Sequence, residues 1–206
     1  MIALSAPMKR ARKTPQSRNT PNGSVRVISG RWRGRKLPVA DVEGLRPTTD
    51  RNKETLFNWL MQDIAGARCL DVFAGSGGLG IEALSRYAEH CTFIEFDKAA
   101  ATNLKRNLQT LEANSQVHIG DALNILPQLS GPFEIIFVDP PFHMGLVAPT
   151  LDSITSRELV TPGGFIYLEQ EAALPLPSLP GGYSILRQKS SSQVCYCLIM
   201  RDGSVN

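Results

Sequence analysis

The chain turns from an apolar run into a glycine-rich segment at Asp71-Val-Phe-Ala-Gly75-Ser-Gly77-Gly-Leu-Gly80, and this stretch decides the fold. Residues 68–75 predict a strand that runs into this stretch, and residues 77–88 predict a helix opened by glycines. Glycines at such a junction let the backbone turn tightly and let a ligand approach main-chain atoms. The stretch is therefore typical of the first strand–helix unit of a doubly wound α/β fold.

Strand-like and helical segments continue to alternate downstream of this stretch. Asp97 is placed to cap the helix that follows the second strand. Two final apolar runs, joined at Ser191 and Ser192, predict a hairpin. The further strands are predicted at 91–96, 116–120, 133–138, 163–170, 183–190 and 193–201. This order predicts a mostly parallel sheet with helices on both faces.

The chain divides into three predicted regions. Residues 1–23 form a basic tail without apolar periodicity and are expected to be disordered. Residues 24–66 are expected to form a small extension that contacts RNA. Residues 67–206 are expected to form the ligand-binding domain.

The extension is predicted to contain a hairpin and one helix. A basic strand begins near Val25, and a short return strand is expected near Lys36 to Val39. Thr49 or Asp50 is placed to cap the helix. Its expected core positions repeat at helical spacing and are Leu56, Phe57, Leu60, Met61 and Ile64.

Charge is distributed unevenly along the chain. Residues 1–36 carry ten basic side chains and no Asp or Glu, which leaves 12 of the 22 basic residues against 19 acids in the remainder. A basic arm on a mildly acidic body indicates contact with a polyanion, although a solvated tail would have the same composition. Around Trp32, the side chains expected to contact phosphates are Arg31, Arg33, Arg35 and Lys36.

Composition excludes several classes of protein. No apolar run reaches eighteen residues and no secretory signal is present, so we expect a cytoplasmic protein and, by its size, a monomer. The three histidines lack metal-ligand spacing, and no metal site is predicted. Four cysteines lie in apolar runs and are expected to be reduced core thiols, namely Cys69, Cys91, Cys195 and Cys197.

Acidic residues end the predicted strands. The glycines at 75, 77 and 80 satisfy a dinucleotide-binding pattern, and Glu95, twenty residues after Gly75, is where such a protein binds a ribose. Asp71 would repel a pyrophosphate but suits the ammonium group of a methionine moiety, and Asp121 is placed to bind an adenine amino group. Each acid alone could be a helix cap. Together they favour S-adenosylmethionine over NAD.

The tetrapeptide Asp139-Pro-Pro-Phe142 follows the fourth strand and indicates the chemistry. An exocyclic amino group on a base is a poor nucleophile because its lone pair is delocalised into the ring. The Asp139 carboxylate and the Pro140 carbonyl can accept hydrogen bonds from its two N–H groups, and Phe142 can stack on the base. The target base must be unpaired or flipped to enter such a site.

Five segments carry a resemblance to one family. The first two are Arg26-Val-Ile-Ser-Gly-Arg-Trp-Arg-Gly-Arg-Lys36 and Leu45-Arg-Pro-Thr-Thr-Asp-Arg51. Glu54-Thr-Leu-Phe-Asn-Trp59, the glycine-rich stretch and Asp139-Pro-Pro-Phe142 complete the set. From about Val25 onward the chain resembles the RsmD family of bacterial 16S ribosomal RNA guanine-N2 methyltransferases.

The resemblance implies a Rossmann-like class I methyltransferase fold, with seven strands in a mostly parallel sheet whose last strand is antiparallel. It implies S-adenosyl-L-methionine as methyl donor and guanine 966 of 16S ribosomal RNA as target. Asp139, Pro140 and Phe142 would hold the guanine, and Arg46 and Arg51 would join the RNA contacts. The implied cofactor-binding set is Thr48, Asp71, Ala74, Gly75, Gly77, Glu95, Phe96, Asp121 and Ala122.

Other functions fit parts of the pattern. The tetrapeptide also suits methylation of adenine N6 or of a protein glutamine, and the glycine pattern alone suits an NAD-dependent enzyme. The charge alone would permit a non-catalytic RNA-binding module. Because the target base must be presented in an accessible form, the substrate could be an assembling small ribosomal subunit instead of bare RNA.

Overall fold

A computed structural model describes residues 23–40 and 50–203 of the chain. The amino-terminal part contains β1 (Ser24–Arg26), β2 (Lys36–Pro38) and α1 (Asp50–Trp59). The remaining part alternates strands and helices and ends in two strands. Its elements are β3 (Arg68–Asp71), α2 (Gly78–Ser85), β4 (His90–Glu95), α3 (Lys98–Thr110), β5 (Ser115–Ile119), α4 (Ala122–Ile125), β6 (Phe133–Val138), α5 (Val147–Ser156), β7 (Val160–Glu171), β8 (Tyr183–Ser190) and β9 (Val194–Arg201).

Seven strands form one sheet in the order β5-β4-β3-β6-β7-β9-β8. Strands β3 to β7 are parallel, and β9 is antiparallel to both of its neighbours. This confirms the predicted mostly parallel sheet with its last strand antiparallel. We call the edge at which β3 to β7 end the carboxyl edge; because β9 reverses direction between β7 and β8, β8 also ends there.

Side chains alternate between two buried faces of this sheet. Helices α1, α2 and α3 cover one face, named here the α1 face, which includes Phe137, Tyr167 and Leu198. Helix α5 covers the other, the α5 face, which includes Val138 and Leu168. All four cysteines are free and buried, as the sequence predicted. No helix in the described ranges is long and apolar enough to cross a bilayer.

The small β1–β2 sheet is held to the larger sheet by polar contacts from helices. The N–H groups of Ile28 and Ser29 donate to Glu82 on α2, at 2.8 and 3.0 Å. Lys53 on α1 is buried and donates to the Arg26 carbonyl at 2.8 Å. The paired strands confirm the predicted hairpin in outline, although residues 31–34 form a turn and not part of a strand.

Two details of the extension differ from expectation, and a third bears on the basic hairpin. Met61 is 68% exposed, whereas Leu60 and Ile64, which also lie beyond the end of α1 at Trp59, are buried. Asp50 lies inside the helix and pairs with Lys53 at 3.6 Å, and the other predicted cap, Thr49, lies outside the described residues. Trp32 is buried beneath the Arg31 guanidinium, 4.2 Å from the ring centroid, so its ring is not free to stack on a base.

Candidate active site at the carboxyl edge

The glycine-rich turn is fixed by main-chain bonds to the next strand. Ala74 N–H donates to the Ile94 carbonyl at 2.9 Å, and Gly77 N–H donates to the Ala74 carbonyl at 2.7 Å. Gly77 has a φ of 81°, and a Cβ there would lie 2.5 Å from a Leu104 methyl carbon. The turn therefore needs glycine at 77 for backbone geometry and for packing against α3.

Glu95 connects the turn to the end of β4. Its Oε2 accepts from Gly75 N–H at 2.6 Å, and its Oε1 accepts from Asp97 N–H at 2.7 Å. Each carboxylate oxygen retains a further lone pair, so Glu95 can still accept bonds from a ligand diol. Asp97 caps α3 through Ala99 and Ala100, as the sequence predicted.

Asp71 lies buried at the end of β3 and points at the start of α2. Its Oδ2 accepts from Gly80 N–H at 3.0 Å. Burial raises the pKa of Asp71 to about 7, the Gly80 bond opposes this, and the charge of Glu95 adds to the increase. A Cβ at Gly80 would lie 2.2 Å from the Phe93 ring, so this glycine serves helix–sheet packing and not ligand approach.

The predicted adenine residues, Asp121 and Ala122, follow β5, and the predicted cofactor residue Phe96 follows β4. Gly120 N–H donates to the Glu95 carbonyl at 2.9 Å, which joins the ends of β4 and β5. Asp121 is exposed and caps α4 through Oδ1, which accepts from Leu123 N–H at 2.8 Å and Asn124 N–H at 3.2 Å. Ala122 is buried, whereas the Phe96 ring is 75% exposed. An exposed phenylalanine beside a strand end is available to pack on a planar ligand.

The tetrapeptide follows β6 on the other side of β3. Asp139 is half-buried, Pro140 is buried and Phe142 is half-buried. On the neighbouring strand β7, the buried Tyr167 hydroxyl donates to Glu169 at 2.7 Å. Burial raises the pKa of Tyr167, and the charges of Glu169 and Asp139 raise it further. Tyr167 is thus a neutral donor close to the Asp139 carboxylate.

Sequence reasoning missed Glu171, which holds the turn after the tetrapeptide. Glu171 ends β7, and its Oε1 accepts from the His143 N–H and lies 3.5 Å from His143 Nδ1. His143 has a φ of 64°, an uncommon conformation for a residue with a side chain. The bond lowers the pKa of Glu171 below its ordinary value, so the carboxylate stays charged near neutral pH. Because His143 adjoins Phe142, Glu171 fixes the chain next to the ring expected to stack on the base.

The predicted RNA-contacting residues lie to one side of this edge. Arg31 N–H donates to the Ser85 carbonyl at 2.8 Å, which places the tip of the hairpin at the far end of α2. That point lies roughly 12 Å along α2 from the glycine-rich turn. The exposed basic side chains of the hairpin are Arg31, Arg33, Arg35 and Lys36, and Arg51 is exposed on α1. Arg46, like the predicted cofactor residue Thr48, lies outside the described residues.

A concavity of about 940 Å³ lies elsewhere, between α5 and the first residues of β7 and β8. Its lining includes Asp152, Glu158, Tyr183 and Arg201. It is at the edge opposite the carboxyl edge, where ligands of doubly wound sheets do not usually bind. The strand ends with the glycine-rich turn and the tetrapeptide are therefore the better candidate.

The chain is similar to one protein family, to curated proteins and to solved structures. The family model "Conserved hypothetical protein 95" matches residues 25–200. The chain is 49% identical over 183 residues to ribosomal RNA small subunit methyltransferase D of Escherichia coli (strain K12), covering 88% of this chain and 92% of the relative. The protein of that name from Haemophilus influenzae is 48% identical over 186 residues, covering 87% and 96%. The solved structure of Escherichia coli yhhF matches with a TM-score of 0.83 at 49% identity, covering 88% of this chain and all of the other.

Proposed function

The chain belongs to the RsmD family of methyltransferases, and from that premise we propose that it transfers a methyl group from S-adenosylmethionine to the N2 amino group of a guanine in 16S ribosomal RNA. The observation that carries the proposal is Asp139-Pro-Pro-Phe142 at the end of β6, beside the strand that leads into the glycine-rich turn. A base held at the first would face a donor bound at the second.

The residues at the ends of β3, β4 and β5 suit S-adenosylmethionine. Glu95 has lone pairs for the ribose hydroxyls, and Asp71 can supply a negative charge for the ammonium group. Asp121 Oδ2 accepts no bond within the described ranges and is available for an adenine amino group. Phe96 would pack on the adenine ring. When bound, the cofactor supplies an activated methyl group on a sulfonium.

The residues at the end of β6 would activate the amino group. The Asp139 carboxylate and the Pro140 carbonyl would accept hydrogen bonds from its two N–H groups. These bonds would favour a pyramidal nitrogen whose lone pair is less delocalised into the ring. Asp139 would also take the proton that the nitrogen loses on methylation. Phe142, fixed through His143 and Glu171, would stack on the ring and hold the nitrogen in line.

Guanine and the 16S RNA are the finer parts of this proposal. Support for RNA comes from the exposed cations of the hairpin and from relatives named ribosomal RNA small subunit methyltransferase D. The choice of guanine N2 and of guanine 966 rests on the family resemblance. An adenine amino group or a glutamine amide would be bound by the same acceptors.

Methyl transfer with product identification tests the proposal. The protein would be incubated with methyl-labelled S-adenosylmethionine and deproteinised 16S ribosomal RNA, and the RNA digested to nucleosides. The same assay is run on partly assembled small subunits, and we expect the label in N2-methylguanosine. Label in N6-methyladenosine, in protein only, or nowhere on either substrate would contradict the proposal.

The state of the substrate is a separate proposal. A flipped guanine must be accessible, and an assembling small subunit can hold it so more uniformly than free RNA. We expect faster methylation of partly assembled small subunits than of deproteinised RNA at equal 16S concentration. Equal rates on the two substrates would contradict this part alone.

A further inference from the structure

The edge strand β8 carries two cations that the proposed site does not use. All its residues after Tyr183 are exposed, among them Arg187 and Lys189. Residues 172–201 contain three basic side chains and no Asp or Glu, within a chain whose charge after residue 36 is negative. Neither Arg187 nor Lys189 has an acidic partner within the described ranges, so both charges are available to an external anion.

A β-bulge determines which face of the sheet these side chains occupy. Ile185 pairs with Ile199, but Arg187 pairs with Leu198, so Leu186 is an extra residue in the ladder. Directly paired residues project to the same face. Because of the extra residue, Arg187 and Lys189 lie on the α1 face, with Leu198 and Tyr196, instead of the α5 face.

The register also aligns Lys189 with the proposed catalytic residue. Lys189 pairs with Tyr196, which pairs with Glu169 on β7. The pair of Val138 with Leu168 places Asp139 level with Glu169. Three strand spacings separate Asp139 from Lys189, a lateral distance of roughly 14 Å. Lys189 is one residue from the end of β8, so it lies near the carboxyl edge.

We propose that Arg187 and Lys189 form a second RNA-phosphate contact, on the flank of Asp139 opposite the basic hairpin. The inference rests on the proposed function and adds the path of the substrate. The hairpin packs on α2 and α3, over the β3–β4 side of the sheet, whereas β8 is the outermost strand on the other side. An RNA strand that inserts its base at Asp139 would have its backbone held on both sides.

Three double variants test the proposal with deproteinised 16S ribosomal RNA as the probe. Arg187→Gln with Lys189→Gln removes both charges. Gln188→Lys with Lys189→Gln keeps net charge and composition but moves one charge to the α5 face. Lys105→Gln with Arg157→Gln, the helix variant, removes two exposed charges that are not on β8, one on α3 and one at the C-cap of α5.

RNA affinity is measured for each variant over a range of salt concentrations. We expect removal at β8 to weaken binding several-fold and to lower the salt slope by about 1.4, which is 0.7 per lost phosphate contact on a single strand. The variant with the relocated charge loses only the Lys189 contact, so its salt slope should fall by about 0.7. The helix variant should keep the wild-type affinity and salt slope. Cofactor affinity and melting temperature should be unchanged in all three.

Two results would overturn the proposal. One is a wild-type salt slope in the variant that lacks both β8 charges. If that variant also self-associates, the charges serve instead to prevent pairing between the edge strands of two molecules, a known role of lysines on an edge strand. The other is equal loss in the β8 and helix variants, which would mean that only net charge matters. Either result would leave N2-methylguanosine formation by wild type intact, so the proposed function is judged separately by its own product.

Discussion

The two halves of the carboxyl edge are held together in different ways. At the ends of β3, β4 and β5, Asp71 and Asp121 accept bonds from N–H groups of the helices that follow them, and Glu95 joins the end of β4 to the glycine-rich turn through Gly75 N–H. At the ends of β6 and β7, Glu171 holds the turn after the tetrapeptide from the neighbouring strand, 28 residues away in sequence. The cofactor half is thus held by three carboxylates that each bind main-chain N–H groups, whereas the turn of the base half is held by the carboxylate of Glu171.

This difference implies that the two halves can be damaged independently. The bonds that Asp71, Glu95 and Asp121 accept involve none of residues 139–143 and not Glu171, so the cofactor half should persist when the base half is altered. The base half depends on individual side chains at residues 139, 142 and 171. Variants should therefore separate cofactor binding from RNA methylation.

Asp139→Ala should have the largest effect on the base half alone. The Asp139 carboxylate would stabilise the positive charge that develops on the amino nitrogen during methyl transfer. Its loss should therefore lower kcat by about 100- to 1000-fold. Cofactor affinity, measured by calorimetry, should stay within about twofold because Asp139 is not among the residues proposed to bind it. Asp152→Ala, an exposed acid on α5, is the control. Near-normal kcat in Asp139→Ala would remove this residue from the chemistry.

Glu171→Ala should be next, since it frees the turn that carries Phe142. A hydrogen bond to a charged group contributes about 1.5–3 kcal/mol, so kcat/KM for RNA should fall roughly 10- to 100-fold. Glu171→Gln keeps an acceptor oxygen for the His143 N–H and should recover much of the loss. Glu89→Ala removes an exposed carboxylate elsewhere and should have no effect. Equal defects in the Ala and Gln variants would argue against this positioning role.

Asp71 predicts a pH dependence confined to the cofactor half. Its pKa is raised to about 7, so the free protein holds it largely protonated below that pH, and an ammonium ligand needs the ionised form. Cofactor affinity should therefore rise several-fold between about pH 6 and pH 7.5, below the pKa of about 7.7–8.0 of an α-amino group, with proton release on binding. Calorimetry in buffers of different ionisation enthalpy measures both, and Asp71→Asn should flatten the profile. A pH-independent affinity in wild type would show that Asp71 does not meet the ammonium.

Removal of the arginine charges of the hairpin should have the smallest effect, because the hairpin belongs to neither half of the carboxyl edge. Replacing Arg31, Arg33 and Arg35 with Gln removes three exposed charges from a surface about 12 Å along α2 from the turn. The salt slope of RNA binding should fall by about 2, with a several-fold loss of affinity and normal cofactor binding. An unchanged slope would exclude the hairpin from the RNA site.

The parts of the structure that local sequence could predict are those built from local contacts. Helical spacing identified Leu56, Phe57 and Leu60 as core, and the Asp97 cap followed from its position before α3. Met61 fits the same spacing but is exposed, since α1 ends at Trp59 and in the turn beyond it only some of the apolar side chains, such as Leu60, remain buried. The spacing of apolar residues does not indicate the residue at which a helix ends.

The contacts that could not be predicted join residues distant in sequence. Glu82 binds the hairpin backbone across more than fifty residues, and Lys53 reaches the Arg26 carbonyl from another element. Glu171 is a strand-end acid like Asp71 and Glu95, a signal that could have drawn attention to it. Its partner, the His143 N–H, is a main-chain group with no mark in the sequence.

Modified-nucleotide mapping of 16S ribosomal RNA from cells that lack this protein tests the central claim most directly. Such RNA should lack one methyl group, on the N2 of a single guanosine. Expression of the wild-type chain should restore it, and expression of Asp139→Ala should not. An unaltered methylation map in the lacking cells, or restoration by Asp139→Ala, would contradict the account.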